Sequence, residues 1–216
     1  MYVVRVSGRY IAVDGPIGVG KTTLVHLLAE RLGARVVLEL AEQNPFLGDF
    51  YREPGRYAFQ VQLFFLLSRY RQQEELRQLD IFRAATVADY LFAKDRLFAR
   101  VNLEPDELAL YERVYELLRP RILRPDLVVL LHARPDILWK RVQRRGAEYE
   151  AGIGEGYLRR IADAYRDYYF RYDETPLLVV DTSDIDFVES AADREDLLSV
   201  IERTRSGITH YVPRPH

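Results

Sequence analysis

The sequence predicts a three-layer α/β fold, with a five-stranded parallel sheet flanked by helices. Short apolar runs alternate with stretches of helical periodicity along the chain, which is typical of strands joined by crossover helices. The run at 127–131 is entirely apolar, as expected for a strand covered on both faces. We expect a single domain over residues 1–206, since 216 residues suit one sizeable core. The remaining residues, 207–216, contain two prolines and predict an irregular tail.

Each predicted element follows from a local pattern. The strands are short apolar runs, at 10–13, 34–39, 84–88, 127–131 and 177–181. The helices carry apolar residues three or four apart, at 23–32, 57–79, 91–101, 105–118, 135–145, 155–172 and 187–204. Asn44 and Pro45 interrupt the chain before the long helix. Pro105, followed by two acidic residues, suits a helix start.

A complete phosphate-binding loop lies between the first strand and the first helix. It has the pattern G-x-x-x-x-G-K-T and consists of Gly15, Pro16, Ile17, Gly18, Val19, Gly20, Lys21 and Thr22. The glycines let backbone N–H groups turn toward an anion, and the helix N-terminus adds partial positive charge. Lys21 is placed to reach the β- and γ-phosphates, and the Thr22 hydroxyl is placed to bind Mg²⁺. The alternative is an ordinary glycine turn.

Two carboxylates follow predicted strands, at the edge of the sheet where ligands bind in such folds. Asp89 closes the third strand, where a second metal-associated carboxylate is expected. Glu39 ends the second strand and could take a proton from, or orient, an acceptor hydroxyl. Each could instead be a helix cap or a surface acid.

A cluster of basic residues predicts a mobile lid. Four cations fall within residues 140–146, and Arg141 and Arg145 share a helix face because they are four apart. Gly146 ends that helix, and the glycine-containing loop beyond it could move. We expect a lid over about 141–156 that closes on phosphates, against the alternative of a solvated basic face.

The long helix interleaves aromatic residues with Gln and Arg. Gln62 and Arg69 are seven apart and therefore face the same side. Such side chains can pair with and stack on a nucleobase, although an amphipathic helix with polar outer residues would look similar.

Composition excludes several classes of protein. The formal net charge of −2 indicates no general affinity for nucleic acid or for anionic membranes. Cysteine is absent, which excludes disulfides and fits a reducing cytoplasm. The sequence shows neither a signal peptide nor an apolar stretch of the roughly 20 residues that a membrane span needs. We therefore expect a cytoplasmic protein without nucleic-acid or membrane partners.

Taken together and in order, these residues resemble the deoxyribonucleoside kinases, and most closely the bacterial deoxyadenosine/deoxyguanosine kinase group. The resemblance covers about residues 8–190. It rests on the phosphate loop, Glu39, Asn44-Pro45-Phe46-Leu47, Phe50-Tyr51, Tyr57-Ala58-Phe59, Gln62, Ser68-Arg69, Asp89, Lys94-Asp95-Arg96, Arg141, Arg145-Gly146, Glu150, Tyr157-Leu158 and 181–187.

The resemblance implies transfer of the γ-phosphate of ATP, with Mg²⁺, to the 5′-hydroxyl of a deoxynucleoside. Glu39 would be the general base, and residues 15–22 with Thr23 would hold the donor phosphates. The implied acceptor residues are Tyr51 and Glu150 for the 3′-hydroxyl, and Gln62, Phe59 and the pair Arg69 and Asp95 for the base. Arg141 and Arg145 would be lid arginines, while Asp186 and Phe187 would contact the donor base. A homodimer is also implied, involving the helices at 57–79 and 91–101.

Two departures from the family pattern concern charge near the phosphates. Tyr90 stands where most members have an Arg, and Ala147 where many have a third lid arginine. We expect Lys94, one turn after Tyr90, to replace the missing cation. A purine deoxynucleoside is the favoured acceptor. The alternatives are a pyrimidine deoxynucleoside kinase, a nucleoside monophosphate kinase, or a regulatory subunit of low turnover that pairs with a paralogue as a heterodimer.

Overall fold

A six-stranded parallel sheet forms the centre of the described part of the chain. The computed structural model describes residues 8–78 and 85–212. Within them the strand order is β2-β3-β1-β4-β5-β6, and every neighbouring pair is parallel. The strands are β1 (Arg9–Asp14), β2 (Arg35–Val37), β3 (Ala85–Ala88), β4 (Leu127–His132), β5 (Leu177–Asp181) and β6 (Ile208–Tyr211).

Helices connect these strands. Those of the described residues are α1 (Lys21–Leu32), α2 (Leu47–Arg52), α3 (Pro54–Gln78), α4 (Lys94–Asn102), α5 (Pro105–Leu118), α6 (Pro135–Arg145), α7 (Glu155–Tyr169) and α8 (Ala191–Arg203). Local signals explain several of their ends. Helix α5 begins with a capping box between Glu104 and Glu107, and α6 ends at Gly146, which adopts the left-handed conformation with φ 61°.

Alternate residues of the central strands pack on opposite faces of the sheet, which produces the three layers. On β4, Leu127, Val129 and Leu131 pack with α1, α6 and α8. Val128 and Leu130 pack on the other face with α4 and α7. This confirms the predicted three-layer α/β fold with a parallel sheet. A separate apolar cluster joins α2, α3 and α5 beside the sheet.

The prediction of five strands and an irregular tail was wrong for residues 208–211, which form β6 parallel to β5. This strand follows Gly207, whose φ of 69° makes the turn. Its residues are exposed apart from the partly buried Tyr211, so neither face gives the alternation by which a half-buried strand is recognised. Residues 213–216 lie outside the described residues.

Several element boundaries differ from the prediction in ways that matter for the site. Strand β2 ends at Val37, so Glu39 lies two residues beyond it. Helix α4 begins at Lys94 rather than at residue 91, which puts Lys94 in its first turn. Helix α2 was not predicted. The predicted ends at residues 79 and 84 lie outside the described residues. Among the described helices, none is long and apolar enough to span a lipid bilayer.

Candidate active site

A cavity of about 740 Å³ opens at the carboxyl edge of the sheet. Its walls come from the phosphate loop, the segment after β2, helix α3, the end of α6 and the loop after β5. Most of the predicted site residues line it: Ile17, Gly18, Val19, Gly20, Lys21, Thr22, Thr23, Glu39, Tyr51, Gln62, Arg69, Asp89, Lys94, Arg141, Arg145, Glu150, Asp186 and Phe187. The structure thus gathers residues far apart in sequence into one site.

The phosphate loop is built on glycines that no other residue could replace without strain. Gly15 has φ 148° and Gly18 has φ 83°. A Cβ atom on Gly15 would overlap the Leu131 carbonyl oxygen, and one on Gly18 would lie 2.8 Å from the Leu138 carbonyl oxygen. The loop is therefore pressed against β4 and α6, and its backbone approaches the cavity closely.

The ammonium group of Lys21 folds back on the phosphate loop. Its Nζ donates hydrogen bonds to the carbonyl oxygens of Gly15 at 2.9 Å and Pro16 at 3.0 Å. Burial lowers the pKa of Lys21 to about 7, and the nearby Lys94 acts in the same direction. A bound polyanion would favour the charged form of this lysine.

Thr22 and Asp89 lie together beside the loop. The Thr22 hydroxyl donates to Asp89 Oδ2 at 3.0 Å, and the backbone N–H of Glu39 donates to Asp89 Oδ1 at 2.6 Å. Burial raises the pKa of Asp89, and the lysines at 94 and 21 oppose this effect. No group of three or more His, Asp or Glu residues gathers for a metal in the part of the chain that the structure describes. A hydroxyl and one carboxylate nevertheless fit Mg²⁺, which keeps waters and takes phosphate oxygens as its other ligands.

The Glu39 carboxylate lies between two cations. Arg69 forms an ion pair with Oε1, and Lys94 Nζ lies 2.7 Å from Oε2. Arg69 also pairs with Asp95, which is completely buried behind it. The guanidinium of Arg69 stacks over Phe65 and over Tyr90, with 4.9 and 5.6 Å to the ring centroids. Tyr90 is fully buried, and the cation next to Glu39 on this side comes from Lys94, in the first turn of α4.

Gln62 lines the cavity and has an unsatisfied amide oxygen. Its side chain is 2% exposed, and its Oε1 has no hydrogen-bond partner among residues 8–78 and 85–212. A buried amide oxygen without a partner is costly in the free protein, so a ligand donor is expected to complete it.

Phe59 does not line the cavity, contrary to the prediction that it walls the base. It packs instead against the cluster formed by α2, α3 and α5. One turn of helix, about 5 Å, separates it from Gln62. Phe65 and Phe98 supply the aromatic wall, and Phe65 follows Gln62 by three residues, on the same face of α3. Phe59 precedes Gln62 by the same three residues, so spacing alone does not tell which of the two phenylalanines lines the cavity.

The two residues predicted to grip the 3′-hydroxyl lie on the same wall. Glu150 is buried and accepts from Arg145, whose Nε lies 2.9 Å from Oε2 and whose Nη2 contacts Oε1. Burial raises the pKa of Tyr51 well above its ordinary value, so its phenol is a neutral donor. The absence of a side chain at Gly152 lets the segment after Glu150 pack closely on Tyr51, since a Cβ there would lie 2.9 Å from the Tyr51 carbonyl oxygen.

The lid arginines reach the phosphate side of the cavity. Arg141 donates to the Thr182 hydroxyl at 3.1 Å and to the Thr182 carbonyl at 2.8 Å. Arg144 also lines the cavity, is exposed, and makes no hydrogen bond or ion pair with the described residues. Sequence reasoning passed over it, although it follows Arg141 by three residues and so neighbours it on the helix.

The loop after β5 closes the other side of the phosphate loop. Phe187 is buried with its ring against Gly20, and Asp186 accepts the backbone N–H groups of Val188 and Glu189 at 3.0 and 3.1 Å. Arg194, which the sequence analysis missed, donates from α8 to the carbonyl oxygens of Phe187 and Val188. This loop is therefore ordered by its own contacts.

Fold and site define a phosphate-loop nucleotide-binding protein with a second pocket, lined by amide, guanidinium and aromatic groups, beside the phosphate site. Comparisons with known proteins agree. The profile of the family described as "Deoxynucleoside kinase" matches residues 11–205. The chain belongs to the deoxynucleoside kinase family.

Named relatives and a solved structure add detail. Deoxyguanosine kinase of Bacillus subtilis (strain 168) is 32% identical over 201 residues, which are 91% of this chain and 97% of that one. Deoxyadenosine kinase of Lactobacillus acidophilus is 28% identical, over 90% of this chain and 95% of that one. The structure of deoxyadenosine kinase from M. mycoides with bound dCTP has a TM-score of 0.77 at 23% identity. The match covers 89% of this chain and 98% of that one, and it shows the shared fold.

Proposed function

We propose that the protein transfers the γ-phosphoryl group of ATP to the 5′-hydroxyl of a purine deoxynucleoside, deoxyadenosine or deoxyguanosine. One observation carries this proposal: Glu39 joins the two halves of the cavity. Its backbone N–H binds Asp89 beside Thr22 of the phosphate loop, and its carboxylate contacts Arg69 of the second pocket. A general base at this junction is placed to take the proton of an acceptor hydroxyl that lies directly beside the donor phosphates.

On the donor side, residues 15–23 hold the phosphates of ATP, and Asp186 and Phe187 contact its base. Thr22 and Asp89 would hold Mg²⁺, whose chemistry when bound is to neutralise charge on the phosphate oxygens. Lys21 exchanges its two loop carbonyls for phosphate oxygens.

On the acceptor side, Tyr51 and Glu150 bind the 3′-hydroxyl, while Gln62 pairs with the base. Arg69 and Asp95 form a buried ion pair that contacts the edge of the nucleobase. A purine preference is supported by the relatives named as deoxyguanosine and deoxyadenosine kinases. A ring that fails to satisfy Gln62 leaves a buried amide unpaired, which penalises the wrong base.

The transfer step follows from these positions. The 5′-oxygen gives its proton to the Glu39 carboxylate and forms a bond to the γ-phosphorus. The bond from that phosphorus to the β,γ-bridging oxygen breaks, and ADP leaves with its electron pair. Lys21, Lys94, Arg141 and Arg145 stabilise charge on the moving phosphoryl group. Residues 141–156 act as the lid of a single domain, whose sheet includes β6 at residues 208–211.

The decisive experiment incubates the purified protein with ATP, Mg²⁺ and each of the four deoxynucleosides in turn. ADP release and formation of the 5′-monophosphate are measured separately. Turnover with deoxyadenosine or deoxyguanosine is expected. Nucleotide binding without turnover on any deoxynucleoside would refute the proposal and favour a regulatory subunit.

We also propose a cytoplasmic homodimer. The exposed apolar side chains that support it lie on two packed helices, α3 and α5, as Leu67, Leu110 and Leu117. The outer side of α4 is covered by α5, where Arg96 donates to Glu112 at 2.8 Å. Sedimentation of the unmodified protein and of Leu117→Glu tests this assembly. A monomer in both cases would contradict it.

A further inference from the structure

A buried carboxylate, Asp14, lies immediately before the phosphate loop. Its side chain is 1% exposed, yet both oxygens are satisfied. Oδ1 accepts the backbone N–H of Gly15 at 2.8 Å and the hydroxyl of Tyr165 at 3.0 Å, and Oδ2 accepts the hydroxyl of Tyr169 at 2.6 Å. Burying a carboxylate is costly, so three donors arranged around it indicate a requirement for its position.

Both phenol groups come from α7, the helix that follows the lid. Tyr165 and Tyr169 are four residues apart, their rings are 6.1 Å apart and nearly parallel, and they are 2% and 5% exposed. Phenylalanine would fill the same space in this apolar cluster. The two hydroxyls therefore serve their polar partner, Asp14, and packing alone does not call for them.

The third donor, the backbone N–H of Gly15, connects this cluster to the first residue of the phosphate loop. Because the Gly15 N–H is held by Asp14, it points away from the cavity. Its φ of 148° is in the region that favours glycine, and a Cβ at this position would overlap the Leu131 carbonyl oxygen, so no other residue fits there. The Gly15 carbonyl in turn accepts Lys21 Nζ at 2.9 Å. The orientation of Gly15 thus sets the direction in which the chain enters the phosphate loop, and also the position of the Lys21 ammonium group in the ligand-free protein.

We infer that Asp14, Tyr165 and Tyr169 form a clamp that holds the phosphate loop in its triphosphate-binding shape. They are positioning residues, since none of them lines the cavity. The inference deepens the proposed function and rests on its donor half alone. The clamp also anchors the phosphate loop to α7, the helix that begins where the lid ends. The phosphate loop and the lid are therefore both attached to α7.

The test replaces the hydroxyls and keeps the rings. The variants are Tyr165→Phe, Tyr169→Phe and both together, with Tyr172→Phe as the matched control. Tyr172 lies in the same cluster, 5.3 Å from the Tyr169 ring, but its hydroxyl pairs with Thr175 at 2.6 Å. Calorimetry without deoxynucleoside measures the affinity for a non-hydrolysable ATP analogue with Mg²⁺. Steady-state kinetics then give kcat and the KM for the deoxynucleoside.

The double variant is expected to lose affinity for the ATP analogue by on the order of tenfold, with the KM for the deoxynucleoside unchanged. Each single variant is expected to show a smaller loss, which keeps the test available if the double variant does not fold. The control is expected to match the unmodified protein. Unchanged analogue affinity in the single variants, or an equal loss in Tyr172→Phe, would overturn the clamp.

Failure of the proposed function is distinguishable from failure of the clamp. An unmodified protein that binds the analogue but phosphorylates no deoxynucleoside refutes the function, while the affinities still decide the clamp. An unmodified protein that does not bind the analogue overturns both.

Discussion

Lys94 Nζ lies 2.7 Å from Glu39 Oε2, and the side chains of both residues are withdrawn from solvent, with exposed fractions of 6% and 16%. The contact joins the first turn of α4 to the segment after β2. Arg69 holds the other carboxylate oxygen. Glu39 is therefore fixed between two cations in the ligand-free protein, and an incoming hydroxyl must share it with them.

Removal of the Lys94 ammonium group tests whether it replaces the missing family arginine. We expect Lys94→Ala to lower kcat by about tenfold or more, because charge on the transferring phosphoryl group loses a buried cation. Lys140→Ala is the control, since that lysine is exposed on α6. Steady-state kinetics with ATP and deoxyadenosine provide the measurement. An unchanged kcat in Lys94→Ala would remove Lys94 from this role.

The charge of Lys94 is expected to give the reaction an alkaline limit. Burial and the nearby Arg69 guanidinium lower the pKa of Lys94 to about 8, while Asp14, Asp89 and Asp95 oppose them. The ammonium form is present below that pH and is lost as the pH rises through it. At saturating ATP, kcat/KM for the deoxynucleoside should therefore fall above about pH 8.

Lys94→Arg supplies the comparison, because a guanidinium keeps its charge throughout this range. Its kcat/KM, normalised to the value at about pH 7, should stay level from about pH 8 to about pH 9.5. The same alkaline fall in both proteins would show that another group causes it.

Glu39→Gln keeps the size of the side chain and removes its basicity. We expect kcat to fall by roughly 10²- to 10⁴-fold, the usual contribution of a positioned general base. Binding of the deoxynucleoside, measured by calorimetry, should persist. Glu42→Gln is the matched control, because Glu42 is an exposed carboxylate on the same cavity wall. Full activity in Glu39→Gln would exclude it as the base.

Arg144 is the lid cation that remains available for phosphate. Arg141 and Arg145 already have protein partners, whereas Arg144 has none within the described residues. We expect Arg144 to serve in place of the arginine absent at Ala147. Arg144→Ala should then lower kcat severalfold, because the transferring phosphoryl group loses one charge-assisted contact. Arg159→Ala, on the exposed side of α7, should leave kcat unchanged. Equal kcat values in the two variants would contradict this role.

The sequence was sufficient for the sheet and the phosphate loop because both depend on local patterns. Continuous apolar runs mark buried parallel strands, and glycines at fixed spacing mark the loop. Strand β6 and helix α2 lacked such patterns. The residues of β6 are mostly exposed, and α2 has only six residues, too few for a clear periodicity.

Site contacts between distant residues were harder to predict than the residues themselves. The resemblance named Glu39, Arg69 and Asp95, but the pairing of Glu39 with Lys94 joins residues 55 apart and has no local signature. Tyr165 and Tyr169 were not singled out from the sequence, because helical spacing cannot reveal a buried partner on another element. The resemblance assigned Phe59 to the nucleobase, whereas its side chain packs against the cluster formed by α2, α3 and α5.

Gln62 should show opposite effects on activity and on stability. Its Oε1 is buried without a partner in the part of the chain that the structure describes. Gln62→Leu removes this unsatisfied group at similar volume, so the free energy of unfolding should rise by about 1 kcal/mol or more. Urea denaturation measures this change.

The same substitution should lower kcat/KM for the purine deoxynucleosides by at least about tenfold, since the base loses its amide partner. Gln43→Leu is the control: Gln43 is an exposed amide on the cavity rim, so neither effect is expected there. A stable variant that keeps full kcat/KM would show that Gln62 does not read the base. A destabilised variant would show that its amide is satisfied in the free protein.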